Sequence, residues 1–225
     1  DERLAPPPRP PRAIRTHRSE YYALVTYLDA QIGRLLDALD RAGLTENTLV
    51  AFASDNGLAV GRHGFMGKQN PFEHSIKVPL ILAGPGIPQG QTRRALVYLQ
   101  DLRPTLLDLA GLRDDPTCAF RSFAPLLRPG ADPDAPFRDA LHTAYRTHWR
   151  TLRQGDWKLI RLAQGKGKPF RELLFDLRAD PLERRDLAQD PAHAQRLAAL
   201  RQTLLARMRR TGDPLAANKK PPQVD

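Results

Sequence analysis

Two apolar runs of strand length constrain this chain most. They are Thr48-Leu-Val-Ala-Phe-Ala53 and Val78-Pro-Leu-Ile-Leu-Ala83, the second ended by Gly84-Pro85-Gly86. Runs this short, apolar throughout and bounded by turn residues, read as buried strands rather than helices. The polar, Gly-rich stretch from Ser54 to Ser75 lies between them. Before the first run, Val25, Leu28, Ile32, Leu35, Leu36 and Leu39 recur at helical spacing. Ser19 reads as that helix's N-cap and Gly43 as its C-terminal stop. After the second run, Leu96–Leu99 reads as a short strand. Asp101 then opens a helix that tolerates Pro104 in its first turn and ends at Gly111. Helix, strand, long loop, strand and helix together argue an α/β sheet covered by helices.

The pattern changes beyond residue 137. Leu141 to Tyr145, Trp149 to Arg153, Trp157 to Leu162 and Glu172 to Leu177 read as four strands, with Gly155-Asp156 as one turn. Gln164 to Lys168 reads as a flexible loop. Leu197, Leu200, Leu204 and Met208 mark one face of a closing helix over Pro191 to Arg210. The expected division is a Pro/Arg-rich leader at 1–18, an α/β domain at 19–113 and a connecting loop at 114–137. A small antiparallel α+β subdomain at 138–212 and a disordered tail at 213–225 complete it.

Composition narrows the function. The 225 residues are 41% hydrophobic and 27% charged, as in ordinary globular proteins. No run of about 18 apolar residues is present, so no membrane-spanning helix is expected. The net charge of +10 raises a nucleic-acid reading. Arg is scattered among Asp and Glu, however, and no RNA-binding aromatic signature or zinc-finger spacing occurs. No nucleic-acid partner is expected, although a non-catalytic basic binding module stays open as an alternative. Cys118, the single cysteine, excludes an intrachain disulfide. A first residue other than Met, followed by prolines, suggests a fragment or processed chain.

Chemistry concentrates in Ser54-Asp55-Asn56-Gly57, Gly61-Arg62-His63-Gly64 and Lys68. Asp55 and Asn56 follow the carboxyl end of the first strand, taken as parallel, the edge where α/β sheets bind ligands. A carboxylate beside an amide carbonyl supplies two hard oxygens suited to Ca²⁺ or Mg²⁺. Gly57 would let the chain turn. Lys68 adds a mobile positive charge for an anionic substrate. The same residues also suit a plain strand-to-loop turn, because Asp-Asn-Gly is common turn chemistry.

The order of these pieces resembles the sulfatase family of the alkaline phosphatase superfamily. Tyr22-Ala23 and Ile32-Gly33-Arg34-Leu35-Leu36 resemble its helix before the metal-binding strand. Phe52-Ala53-Ser54-Asp55-Asn56-Gly57 resembles that strand and its ligands. Gly61-Arg62-His63-Gly64 with Lys68 resembles the loop that holds the sulfate. Lys77-Val78-Pro79-Leu80-Ile81 resembles the next strand. Trp157-Lys158-Leu159-Ile160, Leu174-Phe175-Asp176-Leu177, and Asp180-Pro181 with Glu183 and Asp186-Leu187-Ala188 resemble the C-terminal subdomain, with Asp186 where Asn is usual.

The resemblance implies a partial alkaline-phosphatase-like sheet sandwiched by helices, then the α+β subdomain with its four-stranded antiparallel sheet. It implies Asp55 and Asn56 as ligands of a divalent cation, most often Ca²⁺, with Mg²⁺ or Mn²⁺ as alternatives. Lys68 would hold the sulfate, and His63 would face the leaving group. Glu73 and His74 would be structural, while Arg62 and Gln69 would tune substrate choice. The expected substrate is a sulfated small molecule or glycan, with a phosphonate monoester or phosphodiester as the alternative. The family's nucleophile is a formylglycine made from a C/S-x-P-x-R motif, and none occurs in these residues. Cys118, followed by Ala-Phe-Arg, does not supply it. The expectation is therefore a sulfuric ester hydrolase whose nucleophile lies outside these residues, with the 225 residues alone inactive.

Overall fold

A computed structural model describes residues 5–165 and 168–216. They form two compact units. Of the described residues, the first comprises 5–70, 74–93 and 99–133, and the second 71–73, 94–98, 134–165 and 168–216.

The first unit opens with helix α1, Pro11–Arg41. It begins well before Ser19, so residues 11–18 of the expected leader are helical rather than extended. Proline is compatible with this, because Pro11 sits in the first turn, where its missing N–H bonds nothing. Gly43, at φ +66°, closes the helix. Its N–H donates to Asp40 O at 2.8 Å and the Leu44 N–H to Leu39 O at 3.2 Å, the paired bonds of a Schellman cap. No residue of α1 is buried.

Strands β1 (Val50–Ala53) and β2 (Leu80–Ala83) pair antiparallel, with Phe52 opposite Ile81. The first strand, expected to be a parallel one, is antiparallel to its one neighbour among the described residues, and neither strand is buried as expected. Phe52 is 37% and Ile81 60% exposed, because nothing among the described residues covers that face. Between the strands lies a single helical turn, α2, at Glu73–Ile76. Helix α3, Leu102–Leu109, follows a 3-10 turn at Leu99–Asp101, which replaces the strand expected at Leu96–Leu99. Thr105 fastens the stretch after α3. Its hydroxyl donates to Asp101 O at 2.6 Å and accepts the Phe123 N–H at 3.0 Å.

The second unit is a four-stranded antiparallel meander: β3 Leu141–Tyr145, β4 Trp149–Gln154, β5 Trp157–Leu162 and β6 Arg171–Asp176. Register places Leu152, Leu159 and Leu174 in one row. All three are 0% exposed. Helix α4, Ala194–Arg210, lays Leu197, Leu200, Leu204 and Met208 on that row, at the spacing its sequence requires. Before it, Asp186 does the work of an acceptor. Its carboxylate takes the N–H groups of Leu174 at 3.0 Å and Ala188 at 2.9 Å.

Residues 213–216 are not a loose tail. The Asp213 carboxylate holds Arg150 through Nε at 2.5 Å and Nη2 at 3.0 Å, and Leu215 and Ala216 join the core. The rest of the expected tail, 217–225, lies outside the described residues, as do 1–4 of the leader and 166–167 of the Gln164–Lys168 loop.

Candidate active-site loop

The candidate site residues read from the sequence lie between β1 and β2. At the end of β1 the Ser54 hydroxyl donates to Asn56 O at 2.7 Å, tightening the turn that presents Asp55 and Asn56. Asp55 is exposed and Asn56 half-buried. Gly57 is required for a reason other than the expected turn. Its N–H donates to Ser75 O at 2.9 Å, and a Cβ there would lie 2.0 Å from His74 O. The two ends of the loop therefore touch backbone to backbone, and only glycine permits it.

From Ala59 to Gly67 the chain folds back on itself. The N–H groups of Ala59, Val60 and Gly61 donate to the carbonyls of Gly67, Met66 and Phe65 at 3.2, 3.2 and 2.7 Å. The tip turns through left-handed backbone at Val60 (φ 43°), Gly61 (93°), His63 (50°) and Gly64 (77°). Positive φ at Val60 and His63 is strained for side chains with a Cβ, so the tip needs support. It comes from the segment that the sequence presents as a leader. Arg18 Nη2 donates to Val60 O at 3.1 Å, and Arg9 Nη1 donates to Gly64 O. Ile14 fills the space where a Cβ on Gly61 would stand, 2.4 Å from its Cγ2. None of these three props carries a sequence signal, since Pro and Arg around them read as disorder.

The loop brings His63 and His74 together, their rings stacked with centroids 5.5 Å apart. Arg62, His63, Lys68 and Gln69 are exposed. Neither the Asp55 carboxylate nor the Lys68 ammonium has a hydrogen bond or ion pair among the described residues. Both remain available to ligands from solution. Asn70, 1% exposed, anchors the loop's return by donating to Gly67 O at 3.2 Å. Among the described residues no group of three or more His, Cys, Asp or Glu converges as a complete metal cage. Asp55 and Asn56 offer two hard oxygens, which fits a share of a Ca²⁺ or Mg²⁺ shell.

Two family profiles match this chain. The sulfatase profile covers residues 5–112, and that described as N-sulphoglucosamine sulphohydrolase, C-terminal, covers 61–210. A choline-sulfatase from Rhizobium meliloti (strain 1021) is 36% identical over 181 residues, 79% of this chain and 34% of that protein. One similar solved structure is a complex with its substrate D-glucosamine-2-N,6-O-disulfate. It is 28% identical with a TM-score of 0.74, over 84% of this chain and 40% of its own. A phosphonate monoester hydrolase from Silicibacter pomeroyi is 26% identical with a TM-score of 0.74, over 88% of this chain and 42% of its own. The fold is thus that of alkaline-phosphatase-like hydrolases. Within that class, the chain belongs to the sulfatase family. It spans about a third of the length of the curated relatives it matches.

Proposed function

We propose that the protein containing these residues hydrolyses sulfate esters, with this loop forming one wall of its active site. Asp55 and Asn56 supply two oxygen ligands to a divalent cation, Ca²⁺ in the first instance. The bound cation would supply positive charge beside the sulfuryl oxygens. Lys68, exposed and without an ion pair among the described residues, neutralises the same oxygens as charge develops on them. His63, held by its stack on His74, faces the leaving group. The observation that carries the reading is the loop itself. It exposes one carboxylate and one ammonium on a backbone pinned at Gly57 and propped at Val60 and Gly64.

Two oxygens fall well short of the six to eight that Ca²⁺ takes. No C/S-x-P-x-R nucleophile motif occurs in the 225 residues. Assayed alone with an aryl sulfate and added Ca²⁺, these residues are therefore expected to show no turnover. Appreciable turnover would overturn the division of labour. In a catalytically active sulfatase carrying this loop, Lys68→Ala should lower kcat/KM at least a hundredfold.

A second reading replaces the sulfate ester by a phosphonate monoester. The likeness to the Silicibacter pomeroyi enzyme supports it, since one cation-and-lysine apparatus suits both tetrahedral anions. The ratio of kcat/KM on an aryl sulfate and an aryl phosphonate monoester decides between them.

A further inference from the structure

The second unit buries a lysine in its sheet. Lys158, on β5, is 0% exposed. Its Nζ donates to Glu73 Oε1 at 2.9 Å and to Glu183 Oε1 at 2.6 Å. The other oxygen of Glu183 accepts the backbone N–H of Glu73 at 2.6 Å. Arg153, on β4, donates through Nη1 to Glu73 Oε2 at 3.0 Å. Glu73 is thus held by its backbone and by both carboxylate oxygens. Glu183 is itself 3% exposed and keeps left-handed backbone, φ 55°, to make the contact.

Such a cluster is a poor way to gain stability. Taking charges out of water costs about as much as their attraction returns, and apolar side chains of similar volume would often do better. What it gives is a fixed location for Glu73. Pro71 and Phe72, also buried, accompany Glu73 in this unit. Phe72 meets the Phe175 ring edge-on at 6.2 Å. In sequence this three-residue segment directly precedes His74 and begins three residues after Lys68. Lys158 and Glu183 stand in the stretches Trp157–Ile160 and Asp180–Ala188, which nothing in the sulfate chemistry explains.

We propose that Lys158 and Glu183 are positioning residues, which clamp Glu73 and thereby fix the backbone that presents Lys68 and His74. The inference rests on the reading of Lys68 as the sulfate-holding group. The clamp and that reading fail separately, however.

The test is amide hydrogen exchange on the 225-residue chain carrying Glu183→Gln, which keeps the shape and removes the charge. Peptides covering 57–61 and 66–76 should exchange at least tenfold faster, while those in β5 and β6 change less than threefold. Unchanged loop exchange overturns the proposal. So does an equal rise in loop and sheet, which would mark the cluster as a general stabiliser. Arg153→Gln, at a side chain 25% exposed, should act in the same direction more weakly, and it answers the question if Glu183→Gln does not fold. In an active sulfatase carrying this loop, Glu183→Gln should lower kcat at least tenfold. Faster loop exchange with unaltered kcat would leave the clamp standing and sink the role given to Lys68.

Discussion

Asp213→Asn removes one charge from a buried, two-pronged ion pair and leaves Arg150 behind. The side chains of Arg150 and Asp213 are 4% and 7% exposed, so water cannot replace the lost partner. Breaking a buried pair from one side costs about 3–5 kcal/mol. Arg150 still donates to Arg146 O at 2.7 Å and Trp149 O at 2.8 Å, which places the expected loss near ~3 kcal/mol. Leu215, 1% exposed, adds its own burial, and Leu→Ala in a core costs about 2–5 kcal/mol. A chain ending at Gly212 loses both groups. The two are neighbours, so the losses overlap rather than add in full. About 5 kcal/mol is expected, a large part of the 5–15 kcal/mol that holds a typical domain together. The assay is intrinsic tryptophan fluorescence, because the only two tryptophans, Trp149 and Trp157, both lie in this unit's sheet. At roughly 4–8 °C per kcal/mol, Asp213→Asn should lower the fluorescence midpoint by at least about 12 °C. Acid should have the same effect. Burial works to raise the Asp213 carboxyl, but hydrogen bonds from Arg150 and the Leu215 N–H outweigh it and hold it below the usual range. The pair's contribution is therefore full above about pH 3.9 and disappears as pH falls through the lower folded value. A midpoint within about 2 °C of the parent for both Asp213→Asn and the chain ending at Gly212 would refute the reasoning and return 213–216 to a loose tail.

Three further outcomes are expected. Gly57→Ala should cost about 1–3 kcal/mol and speed amide exchange at position 57, because its Cβ would meet His74 O. Gly33→Ala, in open space on α1, should stabilise by about 0.5–1 kcal/mol, and equal effects from the two would contradict the close approach. His142 has its imidazole pushed down by burial, with Asp213 opposing and Arg150 and Arg207 assisting. Its contribution should be complete above about pH 6.5 and fade below, so His142→Gln should flatten the midpoint's decline between pH 7 and pH 5. Leu24 and Leu35 on α1 are 67% and 70% exposed. Replacing both by Gln should change stability by less than about 0.5 kcal/mol and reduce self-association in light scattering.

The second unit was legible because its signals are local. The strand-length runs of β3 to β6 with turn residues between them, and the 3.6-residue spacing of Leu197, Leu200, Leu204 and Met208, each need only their own segment. The errors fall where a distant partner decides. Residues 11–18 look disordered by composition, yet Ile14 and Arg18 fold against Gly61 and Val60, more than forty residues on by sequence. Asp213 looks like the start of a tail, yet it answers Arg150, 63 residues earlier. Gly57 was legible as a needed glycine but for the wrong cause. Its constraint comes from His74 O across the loop, which no local pattern encodes.

The fate of the charges separates scaffold from chemistry better than the sequence could. A net +10 suggests a positive surface, but in the second unit many cations are already engaged. Arg150 pairs with Asp213, Arg153 and Lys158 with Glu73, Arg161 and Arg201 with Glu172, and Arg207 with Asp139. Net charge therefore overstates what that unit can offer a polyanion. Asp55 and Lys68 are sorted the other way: exposed, on a loop whose backbone is fixed at several points. A charged side chain left in water on a flexible loop is ordinary. On a pinned loop with strained residues at its tip, the backbone order would be wasted on a solvated surface. Under the proposed function Asp55 and Lys68 must meet a ligand in a set position, and the pinning at Gly57 and the clamp on Glu73 would both serve that end.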